Sequence, residues 1–600
     1  MPRTSTVVVM ALALAAPCVA QDQADLTRTP WRGAMLPRQW KPVRTNSDAL
    51  RVPSPITRDE HVERVTLKDT IALALSNNPG IAARRLEPTR QSEAVLGAQA
   101  QYDPTLSGEV QSVQTTTPNA SSLAGTTSSN IDDRTADFHL FKTFRSGTLA
   151  TIDFLNERLD NNARFNQLRP EYITHLNLSL VQPLLRNFGW DFSYLVVRVA
   201  EENADASVYQ YQAALADFVE QVIEAYWNVV RARENVEVQH ESKALADRTV
   251  EENQARVRVG LLPPVAVLEA QADAAAREQQ VITAENDLDI ARQTLAQLAY
   301  YRPDDTFVPR TLEPIEDVTL EDVNVSLDDT IATAVAERPE IAASARGVSV
   351  QLLNERIAGN ALLPRLDLIG SYGVNGLSGR PRAVTGFGSL SQTFFSPTDL
   401  TGTRAGLACQ PLAPPATASF ICVQSGTATS GSPRFAGPPS EAYERLTSND
   451  FRSYSFGVQF EVPLSNAAAR SQFAQSRISR SQAELNHRQL LSQVTLDARQ
   501  AVANVTSARK SVDTTRVARE LAEENLRNQE KRHEVGMATT KDLLDFQTRL
   551  TTARSNEVTA KTNYAIALAQ WRRAEGRLLA YYQVVVEQPG RRSLPWFARF

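Results

Sequence analysis

The sequence predicts a mainly α-helical fold with a transmembrane β-barrel part, built from one strand-plus-long-helix unit written twice. Three observations lead there. Glycine and proline number 25 and 31 in 600 residues, yet neither occurs in the 70 positions between Gly189 and Gly260 or the 72 between Pro463 and Gly536. These residues punctuate secondary structure, so each gap reads as one helix of about 100 Å. The chain also repeats itself. Leu67-Lys68-Asp69-Thr70-Ile71-Ala72 returns as Leu327-Asp328-Asp329-Thr330-Ile331-Ala332, and Arg256, Val259, Gly260, Leu268 and Gln271 return as Arg532, Val535, Gly536, Leu544 and Gln547. Finally, segments of alternating apolar and polar residues lead into both gaps, each with one apolar and one polar face.

Composition narrows the class. Apolar residues make up 42% and charged residues 22%, enough for a large core. The 63 basic and 68 acidic residues give a net charge of −5, which argues against a nucleic-acid partner. Length alone suggests about four domains, but two copies of one elongated unit fit the pattern better.

Taken in order, residues 1–20 read as an export signal. Arg3 supplies the positive start, Val7 to Ala16 the apolar stretch, and Cys18-Val19-Ala20 a cleavage site before Gln21. Lipidation of Cys18 is the alternative, which Pro17 fits poorly. Residues 21–60 form a polar N-terminal extension. The first repeat, 61–310, opens with a helix over about 67–100. Strands follow at about 104–116 and 174–182, and helices at 190–259 and 265–302. Between the strands lies a polar segment, 112–134, and then an extra hairpin at 137–158 around Gly147, carried by Phe138, Leu140, Ile152 and Phe154. The second repeat, 311–588, has strands at about 364–375 and 452–462 and helices at 464–535 and 539–585. Its outer loop, 376–448, is of another kind, with 17 of the 56 glycines and prolines falling in 376–439. Residues 589–600 form a tail. Pro183 and Pro463 mark the bends from strand to helix.

No other run approaches the 18 consecutive apolar residues of a membrane helix. An exported chain of this kind is soluble, lipid-anchored, or embedded as a barrel. Four strands cannot close a barrel, so the pattern requires several copies to remove the edges. For Cys409 and Cys422 two readings stand, a disulfide favoured by export or two free thiols.

With these elements in place, the chain resembles the TolC family of outer-membrane efflux and secretion channels over nearly all of residues 61–588. The likeness rests on the two helix turns, Arg256-Val257-Arg258-Val259-Gly260-Leu261-Leu262 and Val535-Gly536-Met537-Ala538-Thr539-Thr540-Lys541-Asp542-Leu543-Leu544-Asp545. It rests also on the strand exits Leu180-Val181-Gln182-Pro183-Leu184 and Phe460-Glu461-Val462-Pro463-Leu464. The resemblance implies a homotrimer in the outer membrane of a Gram-negative cell. Each protomer would give four strands to a twelve-stranded barrel, with a helical tunnel beneath it in the periplasm. The extra hairpin departs from that pattern and leaves room for a larger barrel. Implied partners are a periplasmic adaptor, an inner-membrane pump and outer-membrane lipid. The implied activity is export of drugs, toxic compounds or metal ions through a tripartite system, with type I protein secretion as the alternative. An exported structural coiled coil is the reading from a different class, and the alternating strands speak against it.

The resemblance also implies site residues. Asp542 and Asp545, at i and i+3 on one helix face, match a charged ring at the channel entrance; Glu269 is the one acidic counterpart in the first repeat. Crowding of like charge there is expected to raise carboxyl pKa values. Gly260, Leu261, Leu262, Gly536 and Met537 form a tip for adaptor contact. His533 stands at a gate position, although an exposed histidine without a structural task is the simpler reading. The six histidines show no metal-ligand spacing, and neither a phosphate loop nor a nucleophile elbow is present. The expectation is therefore no enzyme, no cofactor and no metal.

Overall fold

In the computed structural model, the structure describes residues 62–120, 126–163, 166–299, 311–321, 323–382, 393–395, 407–411, 420–424 and 433–586. The export signal with Cys18, the extension 21–60 and the tail 589–600 lie outside them. No described helix is long and apolar enough to cross a membrane.

The first repeat begins with β1 (Val62–Val65) and α1 (Leu67–Asn77). A capping box starts α1, because the Asp69 N–H donates to Thr66 Oγ1 at 3.2 Å and the Thr66 N–H to Asp69 Oδ2 at 3.4 Å. Asn78 then caps α2 (Pro79–Gln99), its Oδ1 accepting from Gly80 at 2.9 Å and Ile81 at 3.2 Å. Four strands follow: β2 (Thr105–Pro118), β3 (Ser128–Thr143), β4 (Leu149–Asn161) and β5 (Leu168–Pro183). A one-turn helix, Trp190–Ser193, leads into the 64-residue α3 (Leu195–Arg258), and α4 (Val265–Ala299) returns. The second repeat carries β6 (Thr311–Pro314), α5 (Leu327–Glu337), α6 (Pro339–Asn360) and β7 (Arg365–Pro381). Three short strands, β8 (Thr393–Phe395), β9 (Leu407–Pro411) and β10 (Phe420–Gln424), form a separate sheet. The backbone register sets Cys409 opposite Cys422; their side chains lie outside the described residues. Then come α7 (Pro439–Ser448), β11 (Arg452–Glu461), the 68-residue α8 (Ala467–Glu534) and α9 (Thr540–Ala574).

The main sheet is antiparallel throughout, in the order β11-β7-β5-β4-β3-β2. Six strands therefore stand where four per protomer were expected. The hairpin expected at 137–158 is longer than its apolar residues suggested and lies inside the sheet. The polar segment 112–134, expected as a loop, supplies the upper parts of β2 and β3. Apolar alternation did not reveal those parts because charge falls on both faces there, with Asp132, Arg134, Arg158 and Asp160 on one face and Asp133 and Glu157 on the other.

Lower down, the faces separate cleanly. One transverse row, Leu106, Leu140, Ile152, Leu178, Tyr372 and Tyr454, is entirely apolar. The adjacent row on the other face reads Ser107, His139, Asp153, Asn177, Gly373 and Ser453. There His139 Nδ1 and Asp153 Oδ1 lie 2.7 Å apart. The sheet thus has one face suited to lipid and one suited to water.

The junctions to the helices also differ from expectation. Pro183 closes β5, but the turn itself is made by Asn187 and Gly189, with φ of 64° and 106°. In the second repeat Pro463 lies beyond β11, and Asn466, φ 43°, caps α8. Helix α9 stops at Ala574, short of residue 585, because Gly576 adopts a left-handed φ of 79°, and a one-turn helix, Leu578–Tyr581, follows.

The core sits midway along the long helices. β1 and β6 pair in parallel. Ile71 and Ala74 of α1 pack there with Val219, Ile223 and Tyr226 of α3 and with Leu295 and Leu312. The Tyr226 hydroxyl donates to the Val65 carbonyl at 3.3 Å, and burial pushes its pKa well up. Tyr582, buried in the same core, is pushed up to about 12. Ile71 is 2% exposed. Ile71→Ala should cost about 2–5 kcal/mol through lost burial and a residual cavity, read as a lower thermal transition of the detergent-solubilised protein.

Candidate channel entrance

The ends of the long helices farthest from the sheet share one construction. At the end of α3, Gly260 has φ 79°; its N–H donates to the Val257 carbonyl at 3.0 Å, and the Leu261 N–H to Arg256 at 2.9 Å. At the end of α8, Gly536 has φ 77°; its N–H donates to His533 at 3.0 Å, and Met537 to Arg532 at 2.8 Å. This closing pattern satisfies the last carbonyls and needs the left-handed conformation that glycine adopts without strain. Leu261 and Met537 project from the turns at 74% and 68% exposure, while Leu262 is half-buried.

Asp542, Asp545 and Glu269 are all exposed. Asp545 and Glu269 make no ion pair among the described residues. Asp542 has a local task, completing a capping box for α9. Its N–H donates to Thr539 Oγ1 at 3.2 Å, and its Oδ2 accepts from the Thr539 hydroxyl at 2.7 Å and N–H at 3.0 Å. The Thr539 hydroxyl, and then its N–H, hold the Asp542 carboxyl below its ordinary value. Within one protomer this reverses the rise expected from charge crowding, because two donors lie closer than any like charge.

His533 corrects a second expectation. It is buried, not exposed, at 4%. Its Nδ1 meets the Ala538 carbonyl at 3.1 Å, so that nitrogen carries the proton, and Nε2 has no partner. The Arg256 guanidinium donates to the His533 carbonyl at 3.2 Å and ties the first tip to the second. The histidine staples its own turn.

Above the tips, polar side chains join α3 to α9. Asn253 donates to the Ala266 carbonyl at 3.2 Å and to Thr540 at 3.4 Å. Gln547 donates to Thr249 at 3.1 Å, and Thr551 to Ser242 at 2.9 Å. Arg277, only 4% exposed, bonds Ser242 at 2.9 Å, Thr548 and Asp273. The sequence reading missed this seam. Its signal is a seven-residue spacing on one helix face, Ser242, Thr249 and Arg256 on α3 against Thr540 and Gln547 on α9.

Asp542's depressed value sets the sign of a pH effect. Its capping contribution is present above the ordinary carboxylate value and is lost as pH falls through the lowered folded value. Amide exchange in the first turn of α9, corrected for intrinsic rates, should accelerate over that acid range. Thr539→Ala should speed it roughly fivefold at neutral pH and remove the pH dependence.

Comparison with known proteins places this geometry. The family model described as outer membrane efflux protein matches residues 177–299 and 424–577, one segment in each repeat. No curated protein matches the chain in sequence. Among solved structures, the chain is similar to the CmeC outer membrane channel of Campylobacter jejuni. Identity is 16%, with TM-score 0.56, covering 90% of this chain and 93% of that one. The outer membrane protein VceC of Vibrio cholerae gives 14% identity and TM-score 0.55 over 85% of this chain and 96% of that one. The open state of the MtrE outer membrane channel of Neisseria gonorrhoeae gives 16% and 0.53, over 85% and 89%. The duplicated long-helix unit and its amphipathic sheet agree with these matches: the chain is similar to outer membrane efflux proteins in one segment of each repeat and shares the fold of these outer membrane channels.

Proposed function

We propose that three copies of this chain form a channel that exports small molecules, such as drugs, toxic compounds or metal ions, as the outer component of a tripartite efflux system. The observation that carries this reading is the continuity of the chain. A sheet with an apolar outer face runs through short junctions into helices of 64 and 68 residues, about 100 Å at the helical rise. Such a molecule reaches from a bilayer across a wide aqueous space. Outer-membrane lipid covers the apolar rows. A periplasmic adaptor, itself bound to an inner-membrane pump, docks on Gly260, Leu261, Leu262, Gly536 and Met537.

In the trimer Asp542 and Asp545 form a ring of six carboxylates at the entrance, with Glu269 adding charge from the first repeat. A narrow ring of one sign concentrates cations and repels anions. Selection among substrates rests with the pump. The reading is tested by extracting the protein from outer membranes, determining its mass in detergent and recording conductance in planar bilayers. A trimer with cation preference is expected; a water-soluble monomer would refute the proposal. The double variant Asp542→Ala/Asp545→Ala should lose most of the cation preference while remaining trimeric, and unchanged selectivity would remove the ring.

A further inference from the structure

We propose that the channel wall has eighteen strands, six from each copy, joined where β2 of one protomer pairs with β11 of the next. This rests on the trimer reading above and goes beyond it, because the resemblance alone implies twelve strands.

The first support is where the β3–β4 hairpin sits. β3 pairs with β2 through fourteen register positions, and β4 with β5 through eleven. To build a four-stranded contribution, β2 would have to abandon β3 and cross to β5. The lower turn of the hairpin is also held at the level where the strands meet the helices. Ser193 donates from its hydroxyl to the Arg145 carbonyl, and the Arg145 guanidinium lies 4.2 Å from the centre of the Tyr194 ring. A side chain at Gly147 would come within 2.6 Å of the Asn187 carbonyl oxygen. The turn is fitted into the junction. It does not hang above the sheet.

The second support is chemical. Leu140 and Ile152 continue the apolar row that Leu178 occupies on β5, while His139 and Asp153 continue the polar row of Asn177. The hairpin therefore presents the same lipid and water faces as the strands beside it. β3 and β4 have 16 and 13 residues, enough to span a bilayer.

The third support is the edges. Among the described residues, β2 pairs only with β3 and β11 only with β7, so each leaves one edge unpaired. In hydrocarbon an unpaired edge is not tolerated, and six strands are fewer than the eight of the smallest closed membrane barrels. Because six antiparallel strands alternate in direction, β2 and β11 run oppositely, and the seam between copies is antiparallel like the rest. Barrel diameter grows about linearly with strand number, so the exit is about one and a half times as wide as a twelve-stranded one.

The test compares Leu140→Cys and Ile152→Cys with Leu178→Cys and with Leu261→Cys at the exposed tip. Each variant is confirmed as a trimer in lipid nanodiscs, where both membrane faces meet solvent, and labelling by a charged, membrane-impermeant maleimide is measured above that of the parent. All three sheet positions should label at least about tenfold more slowly than the tip. If Leu178→Cys is protected while Leu140→Cys and Ile152→Cys label freely, the hairpin lies outside the wall; the eighteen-stranded barrel is then overturned and the channel reading survives. If all three label freely, the channel reading fails as well. Should a variant not assemble, electron cryo-microscopy of the unmodified trimer decides: eighteen wall strands support the inference and twelve refute it.

Discussion

A strand that crosses hydrocarbon must hand every backbone N–H and C=O to a neighbouring strand, and the rest of this molecule follows from that requirement. Among the described residues one chain supplies six paired strands and leaves two edges open, at β2 and β11. It is therefore incomplete alone, in a way that a soluble sandwich of similar pattern is not. The strands also end at defined places. Pro183 cannot donate to the ladder, and the left-handed residues Asn187, Gly189 and Asn466 redirect the chain before helix begins. Ladder bonds are exchanged for helical bonds over a few residues, so few backbone groups are stranded at the junction.

Below the junctions the problem is length. Helices of 64 and 68 residues have no single core along their whole extent. The chain concentrates burial midway, where β1, β6 and α1 pack on α3, with Tyr226 satisfied by the Val65 carbonyl. Toward the tips the packing becomes polar. Arg277, Asn253 and Gln547 are each buried and each hydrogen-bonded across helices. Removing one partner of such a pair leaves a buried group unsatisfied, so these contacts fix the relative register of α3 and α9. A purely apolar stripe would tolerate sliding. Arg256 on the His533 carbonyl extends the same fixation to the tips.

Much of this was legible in residues. The duplication set the order of elements, and the glycine- and proline-free gaps located the long helices to within a few positions. The tips followed from Gly260 and Gly536. What escaped had specific causes. The upper part of β3 carries charge on both faces, as at Asp132 and Asp133, and that of β2 is mostly Ser, Gln and Thr, so the period-2 signal vanishes where the sheet leaves the apolar band. β1 and β6 are four residues each, too short for any periodicity to show. His533 read as exposed because neighbouring positions on α8 are charged; its burial arises from Ala538 folding back over it, a contact made only by the turn. The capping role of Asp542 was visible, since Thr539 stands three residues before it, whereas the direction of its pKa shift depended on which neighbour lies nearest.

In the proposed barrel both sheet edges are satisfied by other copies of the chain. Amide hydrogen exchange of the membrane-embedded assembly tests it most directly. Peptides covering Thr105–Pro118 and Arg452–Glu461 are expected to exchange as slowly as those of β4 and β5, which are paired on both sides within one chain. Exchange in β2 and β11 at rates typical of loops, while β4 and β5 stay protected, would contradict it.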